Sequence, residues 1–477
     1  AGTAISVLLG VPAAHVLYRL DLVGRRVVRA ALLVPFVLPT VVVGVAFRQL
    51  LGEPGPLGFL GLDQTAAAIV AGLVFFNVAV VIRTVGAAWE SLDPRPAQAA
   101  ATLGASPWQV FRSVTLPALR PAIVSSASVV FLFCATAFGI VLTLGGVRYA
   151  TVETEIYLLT TTVFDLQGAA ALSVLQIAVV LVLLGITQRL RTVPDPTVER
   201  RHLRGQRPTR TDLPSILVTV LLLAFVAAPV LTLVAGSLRA EGAWSLANYR
   251  ALGTAGGQTL PAPVTEALFT SLRTAVDATW MSLSMGLLVA LIVTRRSRTP
   301  AERRLRGALD GMFMLPLGVS AVTLGFGFLI TLDQPPLALR DSPLLVPVAQ
   351  ALVALPLVAR TIVPVLAGVD DRLRQAAASL GASPLRAVLT VDLPVVWKPL
   401  LAAGGFAFAV SLGEFGATSF LARDEHPTLP VVIYRLLGSP GELSYGMALA
   451  ASVVLAATTA VVVLAVDRLR VASVGAF

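Results

Sequence analysis

Chemistry needs reactive side chains close together, and this chain offers few. His15, His202 and His426 fall in three separate segments, and no HExxH, GxSxG or paired-acid pattern accompanies them. The one lysine, Lys398 in "VVWKPLL", has no glycine loop before it, so the phosphate cradle Gly-x4-Gly-Lys-Ser/Thr is absent. The one cysteine, Cys134, lies in an apolar run, can form no intrachain disulfide, and reads as a small core residue. The sequence therefore carries no catalytic set, no metal site and no nucleotide site of that kind.

What stands out instead is polar or aromatic chemistry inside apolar stretches. Glu414 lies within the apolar span 394–422, and an acid there is costly enough to mark a translocation path. The competing reading makes it a hydrated structural group near the outer mouth. Phe138-Gly139 and Phe415-Gly416 each join a bulky ring to a glycine, as a gate or as plain aromatic packing would. Tyr157 and Tyr434 complete the candidate path.

A second signal is a duplication. "QAAATLGASPWQVFRSVTLP" (98–117) and "QAAASLGASPLRAVLTVDLP" (375–394) agree at 12 of 20 positions. In each, Gln and Ala favour a short helix (Gln98, Ala99, Ala100; Gln375, Ala376, Ala377). Gly104 and Gly381 then permit a turn. Ser106-Pro107 and Ser383-Pro384 suit an N-cap followed by a first-turn proline. Leu116-Pro117 and Leu393-Pro394 are expected to open a new membrane helix. Two copies of one surface helix imply two copies of one docking surface, and so a partner with twofold symmetry.

The elements that must position these residues follow from composition. The chain has 477 residues, 56% of them hydrophobic and 13% charged, with a mean hydropathy of +0.85. About 25% charged residues is usual for a soluble domain. Runs such as "AAAIVAGLVFFNVAVVI" (66–82) leave no face for water. Eleven membrane helices are expected near 2–20, 27–51, 65–90, 117–146, 169–190, 214–237, 267–294, 307–333, 343–368, 394–422 and 443–467. The net charge of +10 does not point to nucleic acid. With the duplicated stretches facing the cytoplasm, about 26 basic residues fall inside and about 6 outside, as the positive-inside rule requires.

The basic linker "RLRTVPDPTVERRHLRGQRPTRT" (189–211) reads as a hydrated connector. It divides a first repeat (1–190) from a second (214–477), with 191–213 between them. At the same offset of 277, Leu38-Pro39 matches Leu315-Pro316, Arg83 matches Arg360, and Tyr157 matches Tyr434; Glu414 matches Ala137. Six helices separate the duplicated stretches, so the repeats are parallel. The second repeat has one helix more at its start, so six helices per half are expected in the full protein.

The pattern Gln-Ala-Ala-x3-Gly-x9-Val-x-Leu-Pro, present twice, resembles the EAA loop of permease subunits in ATP-binding-cassette importers. Gln98 and Gln375 stand where that family most often has Glu, and Val114 and Val391 where it often has Ile. The resemblance implies an all-α integral membrane protein built from two parallel type I permease repeats. It implies that residues 98–100, 104, 106 and 107, with 375–377, 381, 383 and 384, couple to two copies of a cytoplasmic ATPase. ATP would be bound by that partner, and a separate extracytoplasmic binding protein would deliver the solute. Fusion of both halves is similar to the ferric-iron and thiamine branches. "GEFGATSFLARDEHPTLPVVIYRLLGS" (413–439) looks like the thiamine permease, "GEFGAT" also resembles molybdate and sulfate permeases, and "VETEIYLL" (152–159) looks iron-like. Ferric iron and thiamine stand level on this reading. The competing class, an ion-coupled secondary transporter, would need intramembrane acids beyond Glu414 and would leave the duplicated loops without a role.

Overall fold

The computed structural model describes residues 1–146, 148–190, 207–254, 263–295, 299–314, 319–333, 339–340 and 342–469. Most of the linker (191–206, with His202), Leu315-Pro316 and the tail residue Arg470 lie outside the described residues. The described chain is helical, apart from a small hairpin of β1 (Arg239–Ala240) and β2 (Ala243–Trp244).

In order, the chain forms α1 (Gly2–Arg19), α2 (Arg25–Val37), α3 (Thr40–Leu51), α4 (Ala66–Glu90), α5 (Arg95–Thr102), α6 (Pro107–Val110), α7 (Leu116–Ala135), α8 (Gly139–Leu144), α9 (Val152–Leu158), α10 (Leu166–Leu190) and α11 (Leu213–Ser237). It continues with α12 (Ala247–Ala251), α13 (Val264–Thr294), α14 (Pro300–Met314), α15 (Ala321–Thr331), α16 (Leu345–Ala367), α17 (Asp371–Ser379), α18 (Pro384–Ala387), α19 (Leu393–Leu412), α20 (Thr418–Leu421), α21 (Leu429–Gly438) and α22 (Glu442–Leu469).

Among the described residues, eight helices are long and apolar enough to cross a membrane, or nine if α2 and α3 count as one span. Those two are bent by 106°. The cause is local. Pro39 excludes the helical region for its predecessor, and Leu38 is extended at φ −70°, ψ 137°. The span expected over 307–333 is seen as α14 and α15. The first expected segment is α1, 18 residues long, which is not among the eight.

The chain packs as two compact units: Ala1–Glu155 with Val174–Gly236, and Ile156–Ser173 with Ser237–Phe477. This partition differs from the repeat boundary. Helix α11 packs in unit 1 because Phe225 meets Phe47 and Phe75, at 5.9 and 6.4 Å between ring centroids.

In lipid, helices gain little from hydrophobicity and associate by close backbone approach at small residues. Each unit does so at the same crossing. A Cβ on Gly10 would lie 2.7 Å from Val81 in α4, and one on Gly286 would lie 2.5 Å from Val358 in α16. Around the first sits a core of Ala14, Val81, Val85, Trp89, Leu119 and Val130. Around the second sit Ala290, Ala354, Val358, Ile362, Leu366, Val396, Ala403 and Ala407. Val81 and Val358 are 277 apart, but Gly10 and Gly286 are 276 apart. The duplication therefore does not hold one constant offset: it slips in the connections between helices.

Candidate functional site

The duplicated stretches fold alike. After α5, Gly104 takes φ +84°, and after α17, Gly381 takes φ +81°. A side chain rarely adopts that conformation, which explains why glycine stands at both turns. Ser106 then caps α6 by accepting from the Gln109 N–H, and Gln109 returns a bond to the Ser106 N–H at 2.8 Å. Ser383 caps α18 by accepting from the Arg386 N–H. Pro107 and Pro384 occupy the first helical turns, where no donor is needed.

As expected, Leu116-Pro117 and Leu393-Pro394 open α7 and α19, but neither helix is separate from the short one before it. A single π turn, Phe111–Thr115 or Val388–Asp392, joins each short helix to the membrane helix, giving the continuous spans Pro107–Ala135 and Pro384–Leu412. A proline inside an α-helix clashes with the carbonyl four residues back, and the wider turn relieves that clash.

Both segments present apolar side chains outward. Leu103 and Leu380 are each 88% exposed, and Trp108 and Leu385 are 67% and 69% exposed. Gln98, Ala99, Gly104, Ser106 and Pro107 are exposed, as are Gln375, Ala376, Gly381, Ser383 and Pro384; Ala100 and Ala377 are half-buried. Large apolar groups on a short polar surface segment are what a protein or a membrane surface would cover.

What anchors each segment differs. In unit 2, Asp392 is 1% exposed and accepts from Arg295 at 2.7 Å and from Arg374 at 2.8 Å. Arg374 also pairs with Asp371 at 2.7 Å. Burial works against the Arg374 charge, but its hydrogen bonds to Asp392 and Asp371 outweigh that and hold its pKa above the ordinary value. In unit 1, the positions matching Asp392 and Arg374 are Thr115 and Ala97. There the anchor is aromatic. Trp108 stacks on Phe111 (5.6 Å), Phe111 on Trp89 (6.3 Å), and Trp89 meets His15 (5.0 Å). His15 Nε2 lies 2.9 Å from Asp212, at the start of α11. Sequence reasoning missed both anchors. Its reading of His15 as merely scattered overlooked a ring joined by folding to residues 74 and 197 positions away.

The candidate path residues come together only in part. Glu414 is buried, and its carboxylate accepts from the backbone N–H of Ala417 (2.7 Å) and Thr418 (3.0 Å). It thus caps α20 and fixes the bend after α19. Gly416 packs on α15, where a Cβ would meet Ala321 at 2.9 Å; Gly139 packs on α3, where a Cβ would meet Thr40 Oγ1 at 2.5 Å. These glycines serve close packing of the bend on a neighbouring helix. Phe138 is buried in unit 1. Phe415, Tyr434 and Tyr157 join one aromatic cluster in unit 2. Phe415 and Tyr434 are 5.5 Å apart, Tyr157 and Tyr434 6.4 Å, Tyr157 and Phe420 5.5 Å, and Phe326 and Phe420 6.5 Å. Phe420 and Phe326 were not expected. Among the described residues, no group of three His, Cys, Asp or Glu could hold a metal ion.

Comparison with known proteins agrees with this geometry. The family model for the binding-protein-dependent transport system inner membrane component matches twice, over residues 6–198 and 282–473. The thiamine transport system permease protein ThiP of Escherichia coli (strain K12) is 28% identical over 451 residues, covering 91% of this chain and 81% of the relative. ThiP of Brucella abortus (strain 2308) is 28% identical over 456 residues, covering 92% and 80%. The molybdenum transport system permease protein ModB of Azotobacter vinelandii is 33% identical over 151 residues, covering 30% of this chain and 67% of the relative.

Proposed function

This chain belongs to the family of binding-protein-dependent transport system inner membrane components, and on that premise we propose that it is the fused membrane pathway of an ATP-driven importer for thiamine. It is a multi-pass inner-membrane protein of a transport system. Its two repeats (1–190 and 214–477, joined by 191–213) each supply one coupling element. The observation that carries the reading is the doubled surface segment: a positive-φ glycine, a capped short helix and an outward apolar side chain, repeated 277 residues on.

Each segment docks in one of two cytoplasmic ATPase subunits, which bind the ATP. Trp108 with Leu103, and Leu385 with Leu380, enter the ATPase groove, while Gly104 and Gly381 set the angle of entry. The duplicated loops and the C-terminal end of α22 face the cytoplasm, consistent with the basic-residue bias. A binding protein docks on the opposite face and releases the solute toward the bends at Phe138-Gly139 and Glu414-Phe415-Gly416. Thiamine is favoured over ferric iron and over oxyanions because relatives that span more than nine-tenths of this chain carry thiamine in their names. The molybdenum relative matches less than a third of it.

The test is ATP hydrolysis by the permease with its ATPase subunits in liposomes. Thiamine-loaded binding protein should stimulate hydrolysis above the empty form. Stimulation by an iron-loaded or molybdate-loaded binding protein alone would overturn the substrate, and failure of any ATPase to associate would overturn the importer.

A further inference from the structure

Five rings gather in unit 2 beside the bend after α19, in a chain that is only 6% aromatic. Two of them, Phe326 and Phe415, are 2% exposed and serve as the floor. The other three, Tyr157, Phe420 and Tyr434, are half-buried and keep part of their surface accessible. Tyr157 stands nearly perpendicular to both Phe420 and Tyr434, at 83° in each case. Rings packed edge to face leave an outward face unstacked, on which a flat guest can lie without parting them.

Three further observations bear on what that guest is. First, the span Pro384–Leu412 runs unbroken for 29 residues, about 43 Å of rise, so the cluster lies more than a hydrocarbon thickness along it from the coupling turn at Gly381. That is where a solute handed over from outside arrives. Second, Tyr157 and Tyr434 are equivalent positions of the duplication, and they meet; substrate sites of repeat-built transporters lie at the interface of the repeats. Third, the neighbouring charges are already engaged. The Glu414 carboxylate is held by two backbone N–H groups, and Arg435 is paired with Asp424 at 2.6 Å.

We propose that Tyr157, Phe420 and Tyr434 form a transit site for an organic cation with flat aromatic rings, held by the π faces and not by a carboxylate. The site rests on the thiamine reading and deepens it: thiamine carries a permanent thiazolium charge and a flat pyrimidine. Its cation needs compensation away from water. A carboxylate would hold it strongly, whereas ring faces attract it weakly enough for release, as any conducting site must. In the first repeat, the position matching Phe420 is Thr143, so the site is built mainly by the second repeat and completed by Tyr157 from the first.

The experiment uses the full chain with its ATPase subunits and binding protein in liposomes, with uptake of labelled thiamine as the readout. Tyr434→Leu and Phe420→Leu should each slow uptake about tenfold, while Tyr434→Phe and Tyr157→Phe stay within about twofold, because the face and not the hydroxyl makes the contact. Should a leucine variant fail to insert, Tyr434→Met and Phe420→Met remove the ring while keeping a long, adaptable side chain that fills irregular space. Leucine or methionine variants that insert and import thiamine at the wild-type rate would overturn the site and leave the thiamine reading standing. A wild-type assembly that imports another solute and no thiamine would overturn that reading itself.

Discussion

The two duplicated segments share a backbone and differ in what holds it. In both, glycine, serine and proline draw the same turn, and a π turn leads into the membrane. In unit 2, a buried aspartate shared by two arginines secures the segment from beneath. In unit 1, three stacked rings run from the surface to His15, which meets Asp212. The difference teaches that the outline presented to a partner is set by a few residues with special backbone needs. The fastening behind it is free to diverge, provided it is stiff.

Seven substitutions can break or sharpen that contrast. The largest effect is expected from Asp392→Ala, which strips Arg295 and Arg374 of their shared buried carboxylate. A loss of about 3 kcal/mol is expected in thermal unfolding of the purified protein in detergent. Thr115→Ala, at the matching position of unit 1, should cost less than about 0.5 kcal/mol. Equal losses would mean that the two fastenings are not different in kind.

Next come Gly104→Val and Gly381→Val. Open space surrounds a Cβ at either site, so the cost is backbone strain alone, about 2 kcal/mol at each. Here the two copies should behave the same, and each variant should uncouple ATP hydrolysis from transport while still inserting. Wild-type transport by the double variant would remove the coupling assignment. Smaller in energy are Trp108→Ala and Leu385→Ala. Both side chains are largely exposed, so stability should hold while affinity for the ATPase subunit, measured by pull-down titration, weakens about tenfold. Small too is the effect of Asp212→Asn, about 0.5 kcal/mol, since the pair with His15 is partly exposed. A loss as large as that of Asp392→Ala would make the first fastening electrostatic after all.

How much of this was legible beforehand depended on sequence distance. The turns at Gly104 and Gly381 were readable because glycine, Ser-Pro and Leu-Pro are local signals with local causes. The stack of Trp108, Phe111, Trp89 and His15 was not, because its members sit on three separate segments and nothing in their spacing predicts that they touch. Asp392 was hidden in a loop whose first copy holds threonine. Glu414 was correctly seen as an acid in an apolar stretch, but its role in capping α20 depends on a chain bend that hydropathy does not reveal. The break between α2 and α3 left a trace in Leu38-Pro39; the packing of α11 into unit 1 left none.

The passage from α18 into α19 is unbroken, so the segment after Gly381 and the membrane helix form one rod. The rod Pro384–Leu412 has 29 residues and is about 43 Å long. A tilt of about 10° about the Pro384 end would carry its far end sideways by about 7 Å. Phe415 rides three residues beyond that end, 5.5 Å from Tyr434. Under the proposed coupling, a modest swing at the near end would thus be geared up into a displacement larger than the spacing of two rings.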